Sequence, residues 1–143
     1  MQNTKWTKKE DIKREWYIID AKDRILGHVA TKVASLLIGK GKVNQSPNMD
    51  CGDHVVIINS AHIKLTRNKE VKKMYYSHTT YPGGFKEIRF DKLLAKDPTA
   101  PIRKAIDKML PKNKLRDGML KRLYVYSDAN HGHEAQTPKP INL

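Results

Sequence analysis

Apolar residues in this chain recur in two rhythms. The run "WYIID" (16–20) gathers aromatic and β-branched side chains in consecutive positions, the mark of a buried strand. Directly after it, within 23–42, Leu26, Val29, Ala30, Val33, Leu36 and Leu37 return every three or four residues, which predicts a helix with one apolar face; Gly39 and Gly41 supply its stop. Gly27, in the first turn, is expected to let that helix pack closely against the strand before it. "HVVIIN" (54–59) is almost continuously apolar, as a strand covered on both faces would be, and the polar "VNQSPNMDCGD" before it is a loop.

Beyond residue 60 the rhythm is less regular. "AHIKLT" (61–66) is compatible with a short third strand or an edge, and 67–88 has no clean helical period. Its Tyr81-Pro82-Gly83-Gly84 is a turn signal, so the segment is expected to leave the domain and return as a loose hairpin. "IRFDKLLAKD" (88–97) reads as a short helix. "PTAPIRKAIDKML" (98–110) reads as another, with Asp97 or Thr99 as its cap and Ile102, Ala105, Ile106, Met109 and Leu110 as its apolar stripe. Pro111 disfavours helical geometry at Leu110 and ends it. A further turn or two is expected through Leu115, Met119 and Leu120. "LYVYSD" (123–128) alternates like a strand, and 129–143 reads as an irregular tail. Strand, helix, strand, helices, strand is the order of a βαβ-type α/β domain with a mainly parallel sheet. The expected organisation is a basic N-terminal arm over 1–14, which orders on its partner, and a single domain over 15–143.

Charge changes the picture. The 143 residues carry 28 Lys and Arg against 15 Asp and Glu, a formal net charge of +13. A compact fold with that excess repels itself, so an anionic partner is expected: nucleic acid first, an anionic membrane surface second. The single cysteine, Cys51, forms no internal disulfide, and neither a signal-peptide core nor a bilayer-length apolar run is present, so the expectation is a soluble protein of a reducing compartment.

The candidate chemistry is mostly negative. "IGKGK" (38–42) lacks the spacing and the following Ser or Thr of a phosphate loop, and reads as a helix stop with two lysines, Lys40 and Lys42. His131 and His133 with Glu134 lack a third ligand at a recognisable spacing, so no metal is expected. Cys51 reads as a packed or loop residue, and Asp20, Asp23, Asp50 and Asp53 as caps and turn formers. An enzyme acting on RNA or a nucleotide would need a closed pocket lined by Asp20, Asp53 and a histidine; a free regulatory nucleic-acid binder is a further alternative. No cofactor is expected.

Two basic stretches carry more weight. Over 67–76, Arg67, Lys69, Lys72 and Lys73 face one acid and are followed by Tyr75 and Tyr76; His78, Tyr81, Phe85 and Lys86 extend the set around Gly83 and Gly84. Cations neutralise phosphates, and aromatic faces stack on unpaired bases. Over 103–122 there are eight cations, among them Lys112, Lys114, Arg116, Lys121 and Arg122, against two acids. Nothing resembles a recognition helix with its turn, a basic zipper or a zinc finger, and dispersed lysines suit a folded RNA better than a regular groove. RNA rather than DNA is therefore the expected partner.

These residues resemble the bacterial-type large-subunit ribosomal protein L13 family. "WYIIDAKDRILGHVATKVASLLIGKGK" is similar to its opening strand and helix, "GDHVVIIN" to its second strand, "YYSHTTYPGGFK" to its glycine excursion, "KMLPKNKLRDGMLKRLYVY" to its signature and "HGHEAQTPKPINL" to its tail. The resemblance implies a single three-layer α/β/α domain with an about four-stranded, mainly parallel sheet. It also implies a structural, non-catalytic role on large-subunit rRNA with early entry into assembly, and neighbouring ribosomal proteins, with proteins three and twenty of the large subunit as the expected ones. Lys40, Lys42, the 69–86 excursion and Lys112 to Arg122 fall where the family meets RNA. Departures from the family pattern stand at Gln45, Arg67 and Asp117.

Overall fold

A computed structural model describes residues 7–142. Strand β1 (Trp16–Asp20) leads into helix α1 (Leu26–Ile38) and returns as β2 (His54–Ile58), paired parallel to β1 with Trp16 opposite His54 and Asp20 opposite Ile58. A one-turn helix α2 (Lys69–Lys72) and the antiparallel hairpin β3 (Met74–His78) and β4 (Phe85–Arg89) follow. Helices α3 (Phe90–Lys96), α4 (Ala100–Met109) and α5 (Arg116–Lys121) lead to β5 (Leu123–Val125), and β6 (Lys139–Pro140) lies near the C-terminus. The main sheet has the order β5-β2-β1-β6, parallel throughout. This is the α/β domain with a mainly parallel sheet that the pattern predicts, with the four strands that the resemblance implies.

Alternation along the strands separates two faces. Ile19, Val55, Ile57, Leu123 and Val125 join one core with Val29, Val33 and Leu37 of α1, Phe90 of α3, Ile102 and Ile106 of α4 and Met119 of α5. The helices thus cover a single face of the sheet. Trp16, His54 and Tyr124 project from the other face, where the Trp16 and His54 rings stack at 4.3 Å and 8° and His133 from the tail lies 4.3 Å from Tyr124. The third layer is therefore a ring cluster and the returning tail, which makes the short 3₁₀ turn Glu134–Gln136 before it reaches β6.

Several local expectations are corrected. The tail adds an edge strand: Tyr17 pairs with Lys139, and Ile141 donates to the Ile18 carbonyl at 2.9 Å. Residues 61–66 form a 3₁₀ turn (Ser60–His62) and a single bridge between Ile25 and Lys64, because the left-handed backbone at Asn59 (φ 56°) turns the chain out of strand geometry. Met109 is 43% exposed, since the buried row of α4 runs at four-residue spacing through Ile102, Ile106 and Leu110. A Cβ built on Gly27 meets nothing within 4 Å, so this glycine is not there for close packing. The close approach is at Gly52, where a Cβ would stand 1.7 Å from the Leu37 carbonyl oxygen. Of the N-terminal arm, residues 1–6 lie outside the described residues; Thr7 donates to the Asn44 carbonyl at 2.9 Å and Arg14 to the Asp50 carbonyl at 3.1 Å.

Candidate nucleic-acid interface

The hairpin exists because of its turn. Gly83 takes φ +71°, and a Cβ on Gly84 would fall 2.1 Å from the Thr79 hydroxyl, so only glycine closes the loop between Thr79 and Phe85. Backbone bonds from Gly84 to Tyr81 (2.9 Å) and from Thr79 to Gly84 (3.1 Å) fix it, and His78 Nδ1 accepts the Thr80 N–H at 2.8 Å. Antiparallel pairing sets His78 opposite Phe85 and Tyr76 opposite Glu87. Tyr76 and Phe85 are therefore diagonal neighbours, and their rings stack at 5.8 Å while remaining 64% and 58% exposed. Tyr81 at the tip is 74% exposed. Exposed aromatic rings flanked by Lys86, His78 and the cations of α2 form a surface that water solvates poorly and an unpaired base would cover.

At the base of the hairpin, Arg67 and Asn68 adopt left-handed backbone (φ 57° and 53°) and launch α2, which carries Lys69 and Lys72 outward. Lys73 turns inward. Its ammonium lies 5.3 Å from the centre of the Tyr75 ring, and that of Lys104 on α4 lies 5.7 Å from it. The Tyr75 hydroxyl is buried without a hydrogen-bond partner, and burial pushes its pKa up.

The second basic surface follows α4. Lys112 and Lys114 are exposed on a turn closed by Asn113, whose side chain accepts the Leu115 N–H at 3.1 Å. Lys121 is exposed on α5, and Arg116, half-buried, faces Asp107 at 3.6 Å. Lys40 is exposed just past the left-handed Gly39 (φ 81°) that ends α1.

Two predicted contact residues are placed differently. Arg122 is 5% exposed, paired to both Asp50 carboxylate oxygens, and donates to the carbonyls of Gly118 (3.2 Å), Leu37 (3.3 Å) and Asp53 (3.3 Å). Its charge is used inside the fold, so it leaves the surface set. The Lys42 ammonium is taken by the Asp53 carboxylate and the Lys13 carbonyl (2.7 Å), which leaves it half-buried. In the same network Asp53 accepts the Glu15 N–H at 2.9 Å. Asp20 accepts from Asn59 and from the Lys22 N–H, both at 2.9 Å, and is held below the usual carboxylate range chiefly by the Asn59 bond. These aspartates serve the scaffold, and neither of them lines the cleft of about 700 Å³ between α1, the hairpin base and α4. His131 and His133 pack against Tyr126 and Tyr124. Among the described residues no helix is long and apolar enough to cross a membrane.

Sequence reasoning missed Lys104 and Lys108 as site residues. Their four-residue spacing on the exposed side of α4 was visible, but their convergence on the hairpin base is tertiary.

Fold and surface together define an α/β protein that presents cations and exposed rings from a hairpin, a helix end and a connecting turn. Residues 14–132 match the sequence profile of the family Ribosomal protein L13. The chain is 50% identical over 143 residues, all of both sequences, to the large ribosomal subunit protein uL13 of Geobacter sulfurreducens. It is 48% identical over 136 residues, 95% of this chain and 96% of the relative, to uL13 of Bordetella pertussis. The chain belongs to the ribosomal protein L13 family, structural and non-enzymatic proteins of the large ribosomal subunit.

Proposed function

We propose that this protein binds large-subunit rRNA and bridges separate rRNA segments through its two basic surfaces, entering subunit assembly early. It works in the cytoplasm, within the ribosome, beside other ribosomal proteins, with proteins three and twenty of the large subunit as neighbours. The observation that carries the reading is the pairing of family membership with exposed cations that have no acid partner among the described residues, notably Lys40, Lys69, Lys72, Lys86, Lys112, Lys114 and Lys121. Phosphates neutralised by these side chains release counterions, so much of the affinity is electrostatic. Placed between two rRNA segments, the rigid sheet holds both patches at fixed separation and screens the repulsion between the segments. The contact residues are Lys40, Arg67, Lys69, Lys72, Lys73, Tyr75, Tyr76, His78, Gly83, Gly84, Lys86, Lys112, Lys114, Arg116 and Lys121, with Lys42 acting through its bond to Asp53.

Sedimentation of a cell lysate in moderate salt tests the reading. Co-migration with the large subunit, and its retention in early assembly particles, is the expected result. Recovery of the protein in the unbound fraction would overturn it.

A further inference from the structure

A cleft of about 700 Å³ opens between the first turn of α1, the base of the β3–β4 hairpin and α4. That volume lies within the roughly 300–1,000 Å³ of ordinary ligand sites. Its lining is of two kinds. Leu65, Ala105 and Met109 give apolar surface, and Lys69, Lys73, Lys104 and Lys108 give four cations. The acid on the rim, Asp107, is already opposed by Arg116 at 3.6 Å.

Three features of the cleft are unexplained by the fold alone. The ammoniums of Lys73 and Lys104 both gather on Tyr75, 5.3 and 5.7 Å from its ring centre, although like charges repel. The Tyr75 hydroxyl is buried with no hydrogen-bond partner among the described residues, an unfavourable state for a polar group. Gly27 sits in the first turn of α1 with ordinary backbone and open space where its Cβ would be, although glycine weakens a helix relative to alanine. The same turn has no side-chain cap at Ile25. An anion between the lysines would relieve their repulsion, and the missing side chain at Gly27 leaves room for a flat group.

We propose that this cleft seats one unstacked nucleotide of the bound rRNA, its phosphate between Lys73 and Lys104 and its base against Tyr75, Met109 and the bare face of Gly27. The inference rests on the RNA-binding reading above and goes beyond it by assigning a concave, single-nucleotide site to a protein otherwise expected to touch RNA with convex loops. RNA is favoured over a free nucleotide because the cleft continues into the cations of α2 and the exposed Tyr76, which would take the flanking phosphates and bases of one strand.

The test is rRNA binding by the full chain over a range of salt. Gly27→Leu fills the cleft without changing charge; it is expected to lower affinity about tenfold while the melting temperature stays level or rises. Lys73→Gln with Lys104→Gln is expected to flatten the salt dependence by about 0.7 in log–log slope, the contribution of one phosphate contact on a single strand. Wild-type affinity and slope in both variants, with the wild type binding normally, would overturn the cleft and leave the RNA-binding reading standing. Failure of the wild type itself to bind rRNA would overturn both. Titration with adenosine 5′-monophosphate, followed by amide shifts at Gly27 and Tyr75, separates the two sources. Micromolar binding there, with rRNA affinity of Gly27→Leu unchanged, would make the occupant a free nucleotide and overturn the proposal.

Discussion

The Arg122 guanidinium lies against the Asp50 carboxylate, beneath the carbonyl of Leu37 at the end of α1. One pair ties the loop before β2 to the residue just ahead of β5, so these two neighbouring strands are locked by charge as well as by backbone pairing. A buried pair of this kind is costly to break, because the surviving partner keeps its charge without water. Asp50→Ala should destabilise the protein by about 3–5 kcal/mol, read as a lowered denaturant midpoint with unchanged slope. Arg122→Met, which removes the charge and keeps much of the volume, should cost less than Asp50→Ala. The opposite order would show that the pair is not the latch.

Gly52 makes that approach possible. With a Cβ 1.7 Å from the Leu37 oxygen and 2.9 Å from the Arg122 side chain, Gly52→Ala forces backbone apart on both sides. The cost should be about 3 kcal/mol or more, the upper end for overpacking, because backbone atoms rather than flexible side chains must move. Thermal unfolding checks it. Gly27→Ala is the matched control and should be neutral or stabilising.

His54 gives the fold an acid-side weakness. Burial first, then the charges of Arg122 and Arg14, pull its pKa below the usual histidine value, while Asp53 opposes them and His133 adds to the depression. The neutral ring is stacked on Trp16. A histidine with a depressed folded pKa takes up its proton more readily when unfolded, so its contribution is full above the unfolded value of about 6.5 and is lost as pH falls through the folded value. Unfolding free energy should therefore drop as pH is lowered below about 6.5, and His54→Phe, which keeps a ring in the stack, should reduce that drop. An identical pH profile in the variant would assign the effect elsewhere.

Charge reversal on the second basic surface should separate binding from folding. Lys112, Lys114 and Lys121 are exposed and lie outside the observed ion pairs, so replacing all three by Glu should change stability by no more than about 0.5 kcal/mol per site. Affinity for rRNA should fall steeply, with a log–log salt slope shallower by roughly two to three. Filter binding at several salt concentrations measures both quantities. Arg116 is left out of this set because its loss would also release Asp107.

The hairpin, the lead helix and the parallel strands could be read from local signals: Pro82-Gly83-Gly84 for the turn, the spacing of Leu26 to Leu37 for α1, the unbroken Val55-Val56-Ile57 for β2. The basic patches were legible for the same reason, since a run such as 67–73 remains a cationic surface whatever its exact backbone. What local signals misplaced was the use of individual groups. Arg122 follows Lys121 in the chain, yet one is consumed by Asp50 seventy-two residues away and the other faces water.

Sequence by itself determined the lead helix, the strands β1, β2 and β5, the hairpin turn, the excess of positive charge and the family resemblance, because these depend on neighbours within a few residues or on composition. Only the tertiary structure decided which cations are free, that the tail completes both the sheet edge at Ile18 and the ring layer at Trp16, and that Gly27, Tyr75 and Lys104 face one cleft. Those outcomes depend on which side chains meet after the chain has crossed the sheet. A buried charge must find its partner wherever the fold brings one, and no spacing rule along the chain records where that will be.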